Sequence, residues 1–229
     1  MLKLISLEVK KYKLYNYTLG ILISNIAIAA FIVLFFILEK SDIEIPFESF
    51  DIAMLLSNSL IRATFLIFAS VLIVKIIIDE YKSGSINIMF TYPISRKKIL
   101  GAKLLIIVIF TFVNILISSL LMEAGIVLAD QLINIIPGEI GREAIVENIL
   151  KSFLGAVASA GLSLIPLYFG LRKKSAAATI VSSIILASLV NTTSENFSAF
   201  SIIAIPISLG FIGLLIGYGS IRKIEYKDI

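Results

Sequence analysis

Residues 18–38 read TLGILISNIAIAAFIVLFFIL, 21 residues without a charge. A helix lying on a soluble core keeps a polar stripe toward water, and this run has none. About 20 apolar residues, at ~1.5 Å each along a helix, cross the hydrocarbon layer of a bilayer. The stretch therefore reads as a membrane-spanning helix, Thr18–Leu38. Ala27-Ile28-Ala29 has the form of a signal-peptide cleavage site, but the apolar run continues past it through Phe31 to Phe36. Signal h-regions are shorter and stop before the site, so the helix reads as retained.

Outward from this run the same pattern recurs. Further spans are predicted at Ala53–Ile78, Ile99–Leu121, Ile149–Leu171, Ser175–Val190 and Phe197–Gly219, six with the first. Composition agrees: 59% of the 229 residues are hydrophobic and 16% charged, with a mean hydropathy of +1.02. Soluble domains hold roughly 45–50% apolar and about 25% charged residues. The expected fold is all-α, a single polytopic transmembrane domain over residues 1–229. Met1–Tyr15 is expected to lie in the membrane interface. On a helix Lys3, Ser6, Lys10 and Lys13 line one stripe, and Met1, Leu2, Ile5, Val9 and Tyr12 another. Pro166 and Pro206 fall inside predicted spans and are expected to kink them. Gly213 and Gly217 form a GxxxG pair, and residues 155–161 a small-residue face; both favour close helix contact within one subunit.

Lysine and arginine set the orientation. Lys3, Lys10, Lys11 and Lys13, then Lys82, Arg96, Lys97 and Lys98, then Arg172, Lys173 and Lys174, then Arg222, Lys223 and Lys227 all flank one side. The other side holds Lys40, Arg142 and little else, with an acidic loop over Glu39–Asp51 and a second loop over Glu123–Glu147. By the positive-inside rule both termini are expected in the cytoplasm. The net charge of +4 is then a topology signal. No basic run interleaved with stacking aromatics points to nucleic acid.

The chain has no cysteine and no histidine, which removes disulfide, thiol and zinc-finger chemistry and the commonest general base. No stretch fits G-x-x-x-x-G-K-[ST], so ATP is not bound by that route. No catalytic residue is expected. Arg62, Lys75, Glu123 and Lys151 lie near span ends and are expected to snorkel to the interface; the functional alternative is a gate or substrate contact near the outer leaflet. Asn25 and Asn114 are expected to hydrogen-bond between helices, or else to mark polar spots on a translocation path.

The most informative segment is Asp79–Lys98, DEYKSGSINIMFTYPISRKK. It is cytoplasmic by the charge rule and too polar to span, yet Ile86, Ile88, Met89, Phe90 and Tyr92 give it an apolar side. Pro93 breaks it, and Ser95 is placed to cap the next helix. A short amphipathic piece held between two membrane helices suits docking of a cytoplasmic partner; an ordinary interfacial loop is the plainer reading. Gly84 fits a positive φ or a close backbone approach. Glu80 and Arg96 are expected to pair with each other or with that partner.

Glu80, Gly84 and Ser85 (E-x-x-x-G-S), then Pro93, Ser95 and Arg96 (P-x-S-R), then Lys103 before a membrane helix, resemble the permease subunits of type-2 ABC exporters. The order of interfacial helix, two spans, motif and four more spans is similar over essentially the whole chain. The resemblance implies that the insert carries a coupling helix, with Glu80, Gly84, Ser85, Ile88, Met89, Phe90, Pro93 and Arg96 docking on a separate cytoplasmic ABC ATPase. It implies a second permease subunit, the same or homologous, in a prokaryotic cell membrane. ATP and Mg sit on the ATPase; no cofactor or metal is expected in this chain. Small members of this kind export, or confer resistance to, peptides, antibiotics and other amphipathic compounds. Two other readings compete. A self-sufficient secondary transporter would need midplane charges or an internal repeat, and neither is visible. A membrane-bound immunity protein would sequester a toxin without moving it.

Overall fold

The computed structural model describes residues 2–39, 50–84, 95–133, 141–191, 193–194, 197–198 and 204–225. Helix α1 (Leu2–Lys11) turns through Lys13, in the left-handed region at φ 48°, and a single 3-10 turn (Leu14–Asn16) into α2 (Tyr17–Glu39). Helix α3 (Phe50–Ile73) runs through a π turn (Val74–Ile78) into the short α4 (Asp79–Ser83), which Gly84 closes. After the insert come α5 (Arg96–Ile133), α6 (Arg142–Leu162), α7 (Ile165–Lys173) and α8 (Ala176–Val190). Strands β1 (Thr193–Ser194) and β2 (Phe197–Ser198) make a two-residue antiparallel hairpin before α9 (Ala204–Glu225).

Among the described residues four helical stretches are long and apolar enough to cross a membrane: Leu14–Phe35, Ile52–Ser83, Lys97–Gln131 and Arg142–Lys173. Ala176–Val190 and Pro206–Ser220 are apolar but shorter. Helices α3, α5 and α6 pack on one another; α8 lies against α3, and α9 against α6. Helix α2 stands at the edge, with Leu19, Leu22, Ile26, Phe31 and Val33 outward. Such a wall is stable in lipid, where exposed apolar surface has no cost.

Several expectations are corrected. The span predicted as Ile99–Leu121 belongs to a helix of 38 residues, about 57 Å long, that runs on to Ile133. The next begins at Arg142, seven residues before the predicted start, so much of the supposed Glu123–Glu147 loop is helical. Hydropathy marks where a helix enters water, not where it stops. Pro166 does interrupt the apolar stretch Arg142–Lys173: α6 ends at Leu162, two residues turn, and Pro166 sits in the first turn of α7. Pro206 likewise lies in the first turn of α9, because Phe197 and Ser198 belong to the hairpin.

The glycine expectations fare better. A Cβ on Gly161 would collide with the backbone of Gly210, and one on Gly213 with the backbone of Gly161. Helices α6 and α9 therefore touch backbone to backbone within the subunit, through one member of the GxxxG pair and the small-residue face opposite it. Asn25 and Asn114 bond instead within their own helices, to the carbonyls of Ile21 (3.0 Å) and Phe110 (2.7 Å). Links between helices come from Asn58 to Ser152 (3.3 Å) and from Ser183 to Ser70 (2.9 Å).

Candidate functional site: a charged knot at the root of the insert

Where α3 runs down toward the insert, its backbone opens into the π turn. Such a turn disturbs the i→i+4 ladder and leaves carbonyls free for other donors. The Ile76 carbonyl is one: it accepts a hydrogen bond from Lys103 Nζ at 3.0 Å. Lys103 lies two turns inside α5 and has no exposed surface. The same ammonium reaches Glu8 Oε2 of α1 at 3.1 Å and stands 2.8 Å from Glu80 Oε2 of α4. The first is an aligned hydrogen bond; the second is a Coulombic contact without hydrogen-bond alignment. The other Glu80 oxygen accepts from Lys11 Nζ at 2.6 Å and from the Tyr12 hydroxyl.

Two carboxylates and two ammonium groups thus close a knot with no net charge, joining α1, α4 and α5. Neutrality matters, because a lone ion there would forfeit its hydration without return. The seal is apolar: Ile5 and Val9 of α1, Ile73 and Ile77, and Leu100 and Leu104 of α5 belong to one packed cluster. Burial first, and then the hydrogen bond to Glu80, hold the Tyr12 hydroxyl well above its ordinary range, so it stays a donor at physiological pH.

Glu80 therefore does not face outward to a partner; its carboxylate is engaged inside the chain. Gly84 caps α4 at φ 72°, with no atom of the described residues within 4 Å of where a Cβ would stand. Of the two reasons offered for a glycine here, the positive φ is present. Ser85, Ile88, Met89, Phe90 and Pro93 lie outside the described residues. Ser95 precedes α5, and its carbonyl accepts from the N–H groups of Lys98 and Ile99. Arg96 begins that helix.

Glu8 was absent from the expected site, although its signal was present. It stands between Ile5, Val9 and Tyr12 on the inward side of α1, where a carboxylate needs a buried cation. Lys103 supplied the complementary signal, a cation beyond the basic cluster at the helix start.

The other charges divide. Lys151 is exposed and pairs with Glu147 at 2.9 Å, and Lys75 lies over the Tyr17 ring at 5.2 Å. Arg62 and Glu123 are buried, which corrects the snorkelling expectation for both. Arg62 donates to Asn191 Oδ1 (3.4 Å) and Ser59 Oγ (3.2 Å). Ser59 and Asn191 also edge an apolar cavity of about 270 Å³ between α2 and α3, walled by Phe31, Ile32, Leu55 and Leu60.

Long apolar helices, four of them able to cross a membrane among the described residues, define a polytopic membrane protein. A family model described as "ABC-2 family transporter protein" matches residues 4–191, and the chain belongs to that family. It is thus the membrane permease component of an ABC transporter. The chain is also similar to the Bacillus subtilis (strain 168) protein named "Uncharacterized protein YcbO", 42% identical over 227 residues that cover 99% of this chain and 100% of that one. No solved structure matches.

Proposed function

We propose that this chain is the membrane-spanning subunit of an ATP-driven exporter that moves a peptide, antibiotic or other amphipathic compound outward. A separate cytoplasmic ATPase binds ATP and Mg, and a second permease, identical or homologous, completes the pathway. Six spans with both termini in the cytoplasm fit the charge pattern. The coupling segment 79–98 meets the ATPase through Ser85, Ile88, Met89, Phe90, Pro93 and Arg96. Glu80 and Gly84 anchor its near end.

The observation that carries the reading is the knot. A force applied to the insert reaches Glu80 within a few residues, and Glu80 is tied to α1 and α5 through Lys103 and Lys11. Rigid ionic links transmit displacement where a solvated loop would absorb it. Family membership supports the class of machine. The apolar cavity between α2 and α3 supports an amphipathic cargo.

Gly84 is the clean probe, because a side chain there meets no described residue and acts first on a backbone held at φ 72°. Glu80→Lys is not clean: it sets a second ammonium against buried Lys103. The test pairs recovery of the ATPase complex with export from cells. Gly84→Val is expected to insert and express normally, to bind or stimulate the ATPase poorly, and to lose most export. Normal export by Gly84→Val would reduce the insert to a loop and remove the coupling mechanism.

A further inference from the structure

The cavity between α2 and α3 has one polar edge, and a buried cation stands behind it. Its walls are apolar: Phe31, Ile32 and Phe35 from α2, Leu55 and Leu60 from α3. Ser59 and Asn191 supply the polar edge. Arg62, buried one turn further along α3, donates to both, from Nη2 to Ser59 Oγ at 3.2 Å and from Nε to Asn191 Oδ1 at 3.4 Å. Asn191 is fixed in turn by donating to the Ala187 carbonyl at 2.9 Å. The guanidinium thus braces two residues of the cavity edge without lining the cavity itself.

Ser59 is the group that meets an occupant. It lines the cavity and accepts from Arg62, and among the described residues its own hydroxyl proton has no acceptor. Other serines of α3 differ: Ser57 donates to the Ala53 carbonyl and Ser70 to the Ile67 carbonyl, each at 2.7 Å. A hydroxyl that accepts from a charged donor is polarised into a stronger donor itself. It calls for an acceptor, and beside a guanidinium the best acceptor is an anionic oxygen. A cationic head is repelled there. The apolar remainder of the cavity takes a hydrocarbon chain. At about 270 Å³ it lies at the small end of ligand sites, which run roughly 300–1,000 Å³, so it has room for one chain rather than the two of a membrane phospholipid. Phe31 and Leu55 are exposed, so a chain enters from the bilayer without parting the core helices.

We propose that this cavity binds one single-chain amphiphile with an anionic oxygen head. The chain lies between α2 and α3, the head accepts from the Ser59 hydroxyl, and Arg62 supplies the positive charge behind it. This gives a sign and a chain number to the amphipathic cargo proposed above. It rests on that reading only for the occupant's being cargo; binding itself needs neither ATP nor the ATPase.

The test is tryptophan quenching, which is clean because the chain has no tryptophan of its own. Phe31→Trp puts a reporter on the cavity wall, and Phe211→Trp puts one on the exposed face of α9, where it senses only partition into the bilayer. Each full-length variant is reconstituted in phosphatidylcholine nanodiscs and titrated with chain-brominated decanoate, decanol or decyltrimethylammonium. The titrations are run at about pH 9, well above the ordinary carboxyl range. Decanoate is expected to quench Phe31→Trp saturably, with a half-saturating concentration about tenfold below that of the other two probes. Phe211→Trp is expected to be quenched by all three in simple proportion to concentration. Adding Ser59→Ala to Phe31→Trp is expected to raise the decanoate value about tenfold, by loss of one hydrogen bond to a charged head. Should Phe31→Trp fail to fold, Leu55→Trp on the α3 wall takes its place. Equal quenching by the three probes, or a preference for decanol or the cation, overturns the proposal. So does saturation at Phe211→Trp like that at Phe31→Trp, or a decanoate value unmoved by Ser59→Ala. Loss of the decanoate signal when phosphatidylglycerol joins the nanodisc overturns it in favour of a two-chain lipid. Coupling through Gly84 is untouched by any of these results, so the two readings fail separately.

Discussion

At the scale of single residues, Lys103 has the largest predicted effect. Lys103→Met leaves Glu8 and Glu80 buried against a thioether, and removing one partner of a buried pair costs about 3–5 kcal/mol. Adding Glu8→Gln and Glu80→Gln removes the stranded charges, so the triple variant is expected to recover most of that loss. Unfolding in mixed micelles, followed by circular dichroism, measures both. A triple variant no more stable than Lys103→Met would show that the knot is not the coupled unit drawn here. Gly84 gives a graded case. Its left-handed conformation costs an ordinary residue about 1–2 kcal/mol, and asparagine tolerates it best. Gly84→Asn is expected to keep most export where Gly84→Val loses it, and a transport assay on the pair reads this directly. Equal loss in both would mean that side-chain bulk, not φ, matters.

At the scale of elements, the contact of α6 with α9 holds the last helix in place. Gly213→Ala drives a methyl into the Gly161 backbone, and neither backbone has room to retreat without separating the helices. Overpacking of this kind costs about 1–3 kcal/mol. Gly125, inside α5 with no described residue within 4 Å of a Cβ, is the control; Gly125→Ala is expected to be neutral or to stabilise by about 0.5–1 kcal/mol. Thermal denaturation of the two variants in detergent should move in opposite directions. The small residues were legible because periodicity puts them on one face; their partner was not, because any apolar helix presents a face that glycine fits.

At the scale of the whole molecule, the charge pattern makes orientation testable, and the absence of native cysteine makes labelling clean. A cysteine at Ser41 is expected to react with an impermeant maleimide from outside intact cells, and cysteines at Ser83 and Ser220 only after permeabilisation. Reaction at Ser83 from outside would reverse the topology. Asn191 is a poor labelling site, since it holds Arg62.

The sequence alone determined that the chain lives in a membrane, and it located the first helix within a residue at each end, Thr18–Leu38 against Tyr17–Glu39. It also marked Glu80, Gly84 and Lys103. Those features are local or additive: hydropathy sums over a window, and a motif is read along the chain. It did not determine the length of α5, whose last turns run past the apolar window. Nor did it reveal that Glu80 faces inward to Lys103 and Glu8 rather than outward to Arg96 or a partner. Pairing of buried charges depends on which helix faces bring Glu8 and Glu80 each within about 3 Å of Lys103. Residues 95 positions apart, such as Glu8 and Lys103, meet only when α1 folds back against α5. Tertiary structure decided these points because a low-dielectric interior makes each charge answer to its neighbours in space.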